Sequence, residues 1–199
     1  MLRAKYWLAL LLLATQAGCL GGAVAPMDSG PPPLPPPVAL ATPSQPDQMI
    51  LEEALRGRSL GDAQVVALSD RLLRDGNSAL HDQKTMARLE ILLLKALKHP
   101  DKVQRPALLR NLGIIHYEQG KYKKARQELQ HSNELNPRDA HTHFYLARLF
   151  VQEGEIYQKR GKRKLAKQQF KRAAIEMEMS RKLAPGNPTY RQDLRQIIK

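Results

Sequence analysis

Cysteine is nearly absent. Cys19 stands alone in 199 residues, so no internal disulfide can form and no cysteine pair is available to a metal. Rings are scarce too, with three Phe and one Trp, and the many basic residues are not interleaved with the stacking aromatics of a nucleic-acid surface. No segment alternates polar and apolar residues in the manner of a strand. The apolar run from Trp7 to Ala14 is far too short to cross a bilayer. Neither a phosphate-cradling glycine loop nor a Gly-x-Ser-x-Gly elbow occurs. Glu52, Glu53, Glu176 and Glu178 show no spacing that would converge on a substrate. No enzyme activity and no cofactor is expected.

What is present begins with the surroundings of Cys19. Arg3 and Lys5 make a positive start, the apolar run follows, and Ala17-Gly18 leads into the cysteine, which is the three-part layout of a secretory signal. Residues 1–18 resemble a bacterial lipoprotein signal peptide. That resemblance implies that Cys19 is acylated and becomes the mature N-terminus. Gln16 departs from the aliphatic residue usual three places before the cysteine. The alternative is an ordinary signal peptide cut near Ala23 or Ala25, which would discard Cys19. Several acyl chains, each buried methylene contributing about 0.8 kcal/mol, would hold the protein on a membrane. Leu20 follows the cysteine where an Asp would mark inner-membrane retention in the family, so the resemblance implies the outer membrane, facing the periplasm.

The formal charge is +13 and falls to +11 without Arg3 and Lys5. A basic balance often points to nucleic acid, but export argues against that partner. Anionic headgroups or an acidic protein face suit the compartment better. The mature chain suffices for one domain with a core plus a tether. Residues 19–46 hold the tether: nine prolines lie between Pro26 and Pro46, and such a stretch favours an extended polyproline conformation of about 3 Å per residue.

From Gln48 onward apolar residues recur at helical spacing, punctuated by Gly57, Gly61, Gly76, Gly120 and Gly161. The 34-residue stretch 106–139 carries Leu112-Gly113, Gly120, Tyr122, Ala125, Leu129, Leu135 and Pro137, and with these it resembles the tetratricopeptide repeat. Leu109, His116 and Ser132 depart from the family's usual residues but leave small residues where helices must approach closely. A second unit, 140–187, opens with Ala140, His143, Leu146, Ala147 and Phe150, but its turn glycine, Gly161, and its closing Leu183 and Pro185 arrive late. Two seven-residue insertions, one per helix, restore the pattern and keep the inner stripe in phase, since seven residues are almost two turns. Its tip is expected to stand about 10 Å beyond the neighbouring repeat.

Upstream, 47–105 reads as a divergent repeat with helices over 48–56, 61–75 and 77–98. Ala87 and Leu94 are expected to be the small-then-large pair of its second helix. Pro188 opens an expected capping helix over 188–199, with Tyr190, Leu194 and Ile197 or Ile198 packed inward. The fold class is therefore all-α, an antiparallel helix-hairpin solenoid behind a signal peptide and a Pro-rich linker.

His141 and His143 are two apart and so face different sides of a helix, while His116 falls at a repeat core position, where it packs rather than binds a metal. Two surfaces remain. The family uses the first helices of its repeats to line a concave groove. That implies a lining of Arg110, Ile114, Tyr117, Glu118, His141, Phe144, Tyr145, Arg148 and Gln152, whose rings and arginines suit an amphipathic peptide. The lysine–asparagine carboxylate clamp of the family is incomplete, since Ile114 stands at an asparagine place. The second surface is the hairpin tip, Lys159, Arg160, Lys162, Arg163 and Lys164, a contact for anionic lipid or an acidic protein. The expected role is a lipid-anchored envelope adaptor that binds protein partners through the groove, similar in layout to lipoproteins of type IV pilus and secretin systems. An adaptor for peptidoglycan or division enzymes and a soluble periplasmic ligand-binding module are the alternatives.

Overall fold

Helical periodicity becomes seven α-helices in the computed structural model, which describes residues 45–191. Residues 1–44 and 192–199 lie outside the described residues, and with them Cys19, the Pro-rich linker as far as Ser44, and Leu194, Ile197 and Ile198; Gln45 and Pro46, expected in the linker, open α1 instead. The helices are α1 Gln45–Leu55, α2 Asp62–Leu72, α3 Gln83–Ala96, α4 Arg105–Glu118, α5 Tyr122–Leu135, α6 Ala140–Lys159 and α7 Arg163–Leu183. Short 3₁₀ turns occupy Ser78–His81 and Pro188–Arg191. No strand occurs among the described residues. The fold is an antiparallel helix-hairpin solenoid, in which α4 packs on α5 and α6 on α7 most extensively.

The expected helix over 77–98 is broken. Asn77 accepts a hydrogen bond from Ala79 N at 3.0 Å, and Asp82 accepts from Lys84 N and Thr85 N, both at 3.2 Å. These side chains satisfy the donors that a helix start leaves orphaned, so Asn77 opens the 3₁₀ turn and Asp82 opens α3. The register expected within α3 is also wrong. Ala87 is exposed and Leu94 is 47% exposed; Met86, Leu89 and Leu93 point inward instead. α1 is fastened by charge, Asp47 to Arg71 of α2 at 2.7 Å and Glu52 to Arg88 of α3 at 2.9 Å.

The hairpins α4/α5 and α6/α7 turn identically. Gly120 and Gly161 have φ of 73° and 71°, a left-handed conformation that glycine adopts without a Cβ clash. In both, the glycine N–H reaches the carbonyl three residues back, Tyr117 or Gln158, and the next N–H reaches five back, His116 or Tyr157. This is a Schellman-type closure. The helix crossing is likewise shared. Gly113 lies seven residues before Gly120 and Gly154 seven before Gly161, and each meets the residue sixteen ahead, Leu129 or Phe170. A Cβ on Gly113 would come within 2.8 Å of Leu129 Cγ.

The hairpins differ in length. α4 and α5 have 14 residues each, α6 has 20 and α7 has 21. Near the turn of the short hairpin, Arg126 of α5 lies 5.5 Å from the Phe150 ring centroid and pairs with Glu153 of α6. From Gly154 to Lys159 α6 runs on for about 9 Å. No helix among the described residues is long and apolar enough to cross a membrane.

Candidate partner-binding face

The first helices α2, α4 and α6 are held in register by a polar knot. Asn111, fully buried on α4, donates to Ser69 Oγ at 2.6 Å and Asp70 Oδ1 at 2.7 Å on α2. Its neighbour Arg110 donates to Asp70 at 2.5 Å and to Asp139 at 3.0 Å. Asp139 is itself the N-cap of α6, accepting from His141 N and Thr142 Oγ1. Burial alone would push the Asp139 carboxyl up. The Arg110 charge, with the hydrogen bonds from Thr142 and Arg110, outweighs it and holds the group below the usual carboxylate range. One guanidinium thus ties three helices.

Beyond the knot runs an aromatic ridge. The Arg148 guanidinium lies 4.9 Å from the Tyr117 ring centroid, 5.2 Å from Tyr145 and 5.8 Å from Phe144, and donates to Glu118 at 3.3 Å. Such stacking on ring faces is favourable and pre-orients the cation. Phe144 is covered from the far side by Tyr190, with centroids 5.0 Å apart. Burial raises the Tyr145 phenol far above its ordinary range, and its hydroxyl has no hydrogen-bond partner.

These contacts correct the expected groove lining. Ile114 and Tyr145 are fully buried, and Phe144 and Tyr117 nearly so; they support the face rather than line it. Arg110 is locked in the knot and is not available as a free cation. His141, Glu118, Arg148 and Gln152 remain partly exposed. The cause is enclosure: α4 is buried continuously from Asn111 to Tyr117 and α6 from Thr142 to Ala147, because each lies between neighbours on several sides.

The open space lies beside the ridge. A hollow of about 480 Å³ is lined by Asp70, Arg74 and Asp75 from the α2 end, Arg110 of α4, His141 of α6, and Asn187, Thr189 and Tyr190 after α7. A second, of about 510 Å³, is lined by Leu80, His81, Gln83 and Met86 with Glu118, Gln119 and Lys121. Asp70, Arg74 and Asp75 carried no sequence signal, because nothing local indicates that the end of α2 converges with residue 190. In the first hollow, burial and the nearby Arg110 charge push the His141 imidazole down, so it is neutral at pH 7. Burial pushes the Tyr190 phenol up to about 12. The surface therefore offers neutral hydrogen-bonding groups at its floor and charges of both signs at its edge.

His116 and His143 are packing residues. His116 lies 2.6 Å from Glu128 and 3.1 Å from Glu90; His143 lies 2.6 Å from Glu176 and 3.0 Å from the Pro137 carbonyl. All four partners are acceptors, so both rings are held as donors on both nitrogens. The tip cations Lys159, Arg160, Lys162, Arg163 and Lys164 are exposed.

Residues 106–139 match the family model for the tetratricopeptide repeat. The chain is similar to the photosystem I assembly protein Ycf3 of Rippkaea orientalis (strain PCC 8801 / RF-1), with 30% identity over 114 residues, 57% of this chain. The match spans 66% of that relative, just under two thirds of its length.

Proposed function

The chain contains a tetratricopeptide repeat within an all-α hairpin solenoid, a scaffold for protein–protein contact, and on that premise we propose that it is a lipid-anchored adaptor of a bacterial envelope. In this reading Cys19 carries the acyl chains, the outer membrane holds them, and the Pro-rich linker sets the solenoid away from the lipid. The adaptor supports assembly of an envelope machine of the type IV pilus or secretin kind by gripping a polar segment of a partner. The observation that carries the adaptor reading is the hollow shared by α2, α4, α6 and the 187–190 segment. Four elements converge there, and the Arg110–Asn111 knot fixes α2, α4 and α6 before a partner arrives, which lowers the ordering cost of binding. Similarity to a protein named for assembly supports the same direction.

Two measurements test it. Cys19→Ala should move the processed protein from the detergent fraction to the soluble periplasm; a mutant still membrane-bound after processing would remove the anchor. A photo-crosslinking residue at Arg74, on the hollow, should trap a protein partner in cells, whereas one at Gln127, exposed on α5, should not. Equal capture at both positions, or none at Arg74, would end the concave-face reading.

A further inference from the structure

A second surface lies on the overlong hairpin. Arg181 of α7 donates from Nε to the Tyr190 carbonyl at 2.8 Å, which marks the face of α7 that the following segment covers. Ala174, Phe170 and Arg163 lie seven, eleven and eighteen residues before Arg181, spacings that return to the same helix face. Toward the tip this face becomes a shallow groove of about 490 Å³. Ala166, Phe170 and Ala174 make its apolar floor, and Arg163, Lys167 and Lys171 stand around it. The preceding hairpin is covered on its trailing side by the helix that follows: α6 packs on both α4 and α5. At the distal turns of α7 no described helix does so, and Lys167, Lys171 and Ala174 are exposed.

Charge specifies the occupant. Residues 156–175 hold eight cations and no carboxylate. Of the hairpin's four carboxylates, Glu153 pairs with Arg126, Glu176 with His143 and Glu178 with Lys182; Glu155 is half-buried on α6. The groove therefore combines an apolar floor with uncompensated positive charge. A second copy of this hairpin would bring cation against cation, and a flat headgroup layer would leave a concave apolar floor unfilled. An amphipathic helix with Asp and Glu beside its apolar stripe satisfies both features. We infer that the distal α6/α7 groove docks an acidic amphipathic helix of a partner protein, which extends the solenoid by one helix supplied in trans.

The test titrates the full chain against a fluorescent helical peptide of about five turns, with a Leu stripe flanked by Glu, and against the same peptide with Lys in place of every Glu. Fluorescence anisotropy should show binding of the Glu peptide alone. Ala174→Glu, and separately Lys167→Glu with Lys171→Glu, should each weaken it at least about tenfold while thermal melts stay unchanged; Gln127→Ala should leave it as it was. Equal binding of the Lys peptide overturns the inference. So does loss on Arg74→Glu without loss on Ala174→Glu, which moves the site to the concave hollow. Binding to phosphatidylglycerol vesicles that ignores Ala174→Glu, with no peptide binding, assigns the cations to a lipid surface instead. Peptide binding that tightens about tenfold after deletion of residues 192–199 assigns the groove to the chain's own C-terminal segment, and likewise overturns a partner in trans.

Discussion

Gly113→Leu is the sharpest perturbation of the repeat hairpin. A Cβ at Gly113 would sit 2.8 Å from Leu129 Cγ, 3.1 Å from Cδ2 and 3.3 Å from the Leu129 backbone nitrogen. Leu129 is fully buried, and the obstructing Cγ is the inner part of its side chain, so α4 and α5 must part. For Gly113→Ala, overpacking of about 1–3 kcal/mol is offset by about 1 kcal/mol of helix propensity, a net loss of about 0–2 kcal/mol. Leucine adds three more carbons at the same point, and the loss becomes about 3 kcal/mol or more. In a domain of this size that lowers Tm by about 6–12 °C. Gly154→Ala provides an internal comparison. Its Cβ would come nearest to the ring atoms of Phe170, at 2.5–2.9 Å, and that ring is half-buried in the floor of the shallow α7 groove, where it has room to swing. Differential scanning calorimetry should order the melting temperatures as Gln127→Ala, Gly154→Ala, Gly113→Ala, Gly113→Leu, highest first, with Gln127→Ala within about 0.5 kcal/mol of the parent. A Gly113→Leu protein that melts with Gln127→Ala would refute the close crossing and the register built on it.

Asn111→Ala should cost about 1–3 kcal/mol, because it removes a buried double donor from Ser69 and Asp70; a loss below the error of a urea titration would mean that the knot does not fix the first helices. His116 is raised above its ordinary value because the Glu128 and Glu90 hydrogen bonds outweigh burial, and His143 because of the Glu176 hydrogen bond. A folded pKa above about 6.5 contributes stability that is complete below that pH and lost as pH rises through the folded value. Tm should therefore fall as pH rises above about 6.5, and His116→Gln with His143→Gln should flatten that slope; an unchanged slope would remove the paired-imidazolium reading. His141 is lowered by burial, so His141→Gln should relieve destabilisation only as pH drops below about 6.5, read from melts on the acid side. Neutralising Lys159, Arg160, Lys162, Arg163 and Lys164 together should leave Tm unchanged or slightly higher, since all five are exposed; unfolding would show instead that the tip is packed.

The helical class, the repeat at 106–139 and the turn at Gly161 were all readable from the chain, because each depends on local chemistry. Apolar spacing of 3.6 residues forms a helix wherever it occurs. A positive φ needs glycine, and Gly113, Ala125 and Leu129 mark a crossing only sixteen residues long in sequence. The break at Asp82 was missed, because the continuing apolar stripe concealed it although Asp is a favoured N-cap residue. The partner face was not readable. Asp70, Arg110 and Asp139 meet across separations of 40 and 29 residues, and Tyr190 covers Phe144 from 46 residues away, relations that no local pattern carries. Periodicity also assumes one buried side per helix, which suits α7 and fails for α4 and α6. Those two are enclosed by neighbours on several sides, so Ile114 and Tyr145 on the nominally open face are buried completely. Sequence thus decided which segments coil and where they turn. Only the stacking of hairpin on hairpin decided which of their side chains water, or a partner, can reach.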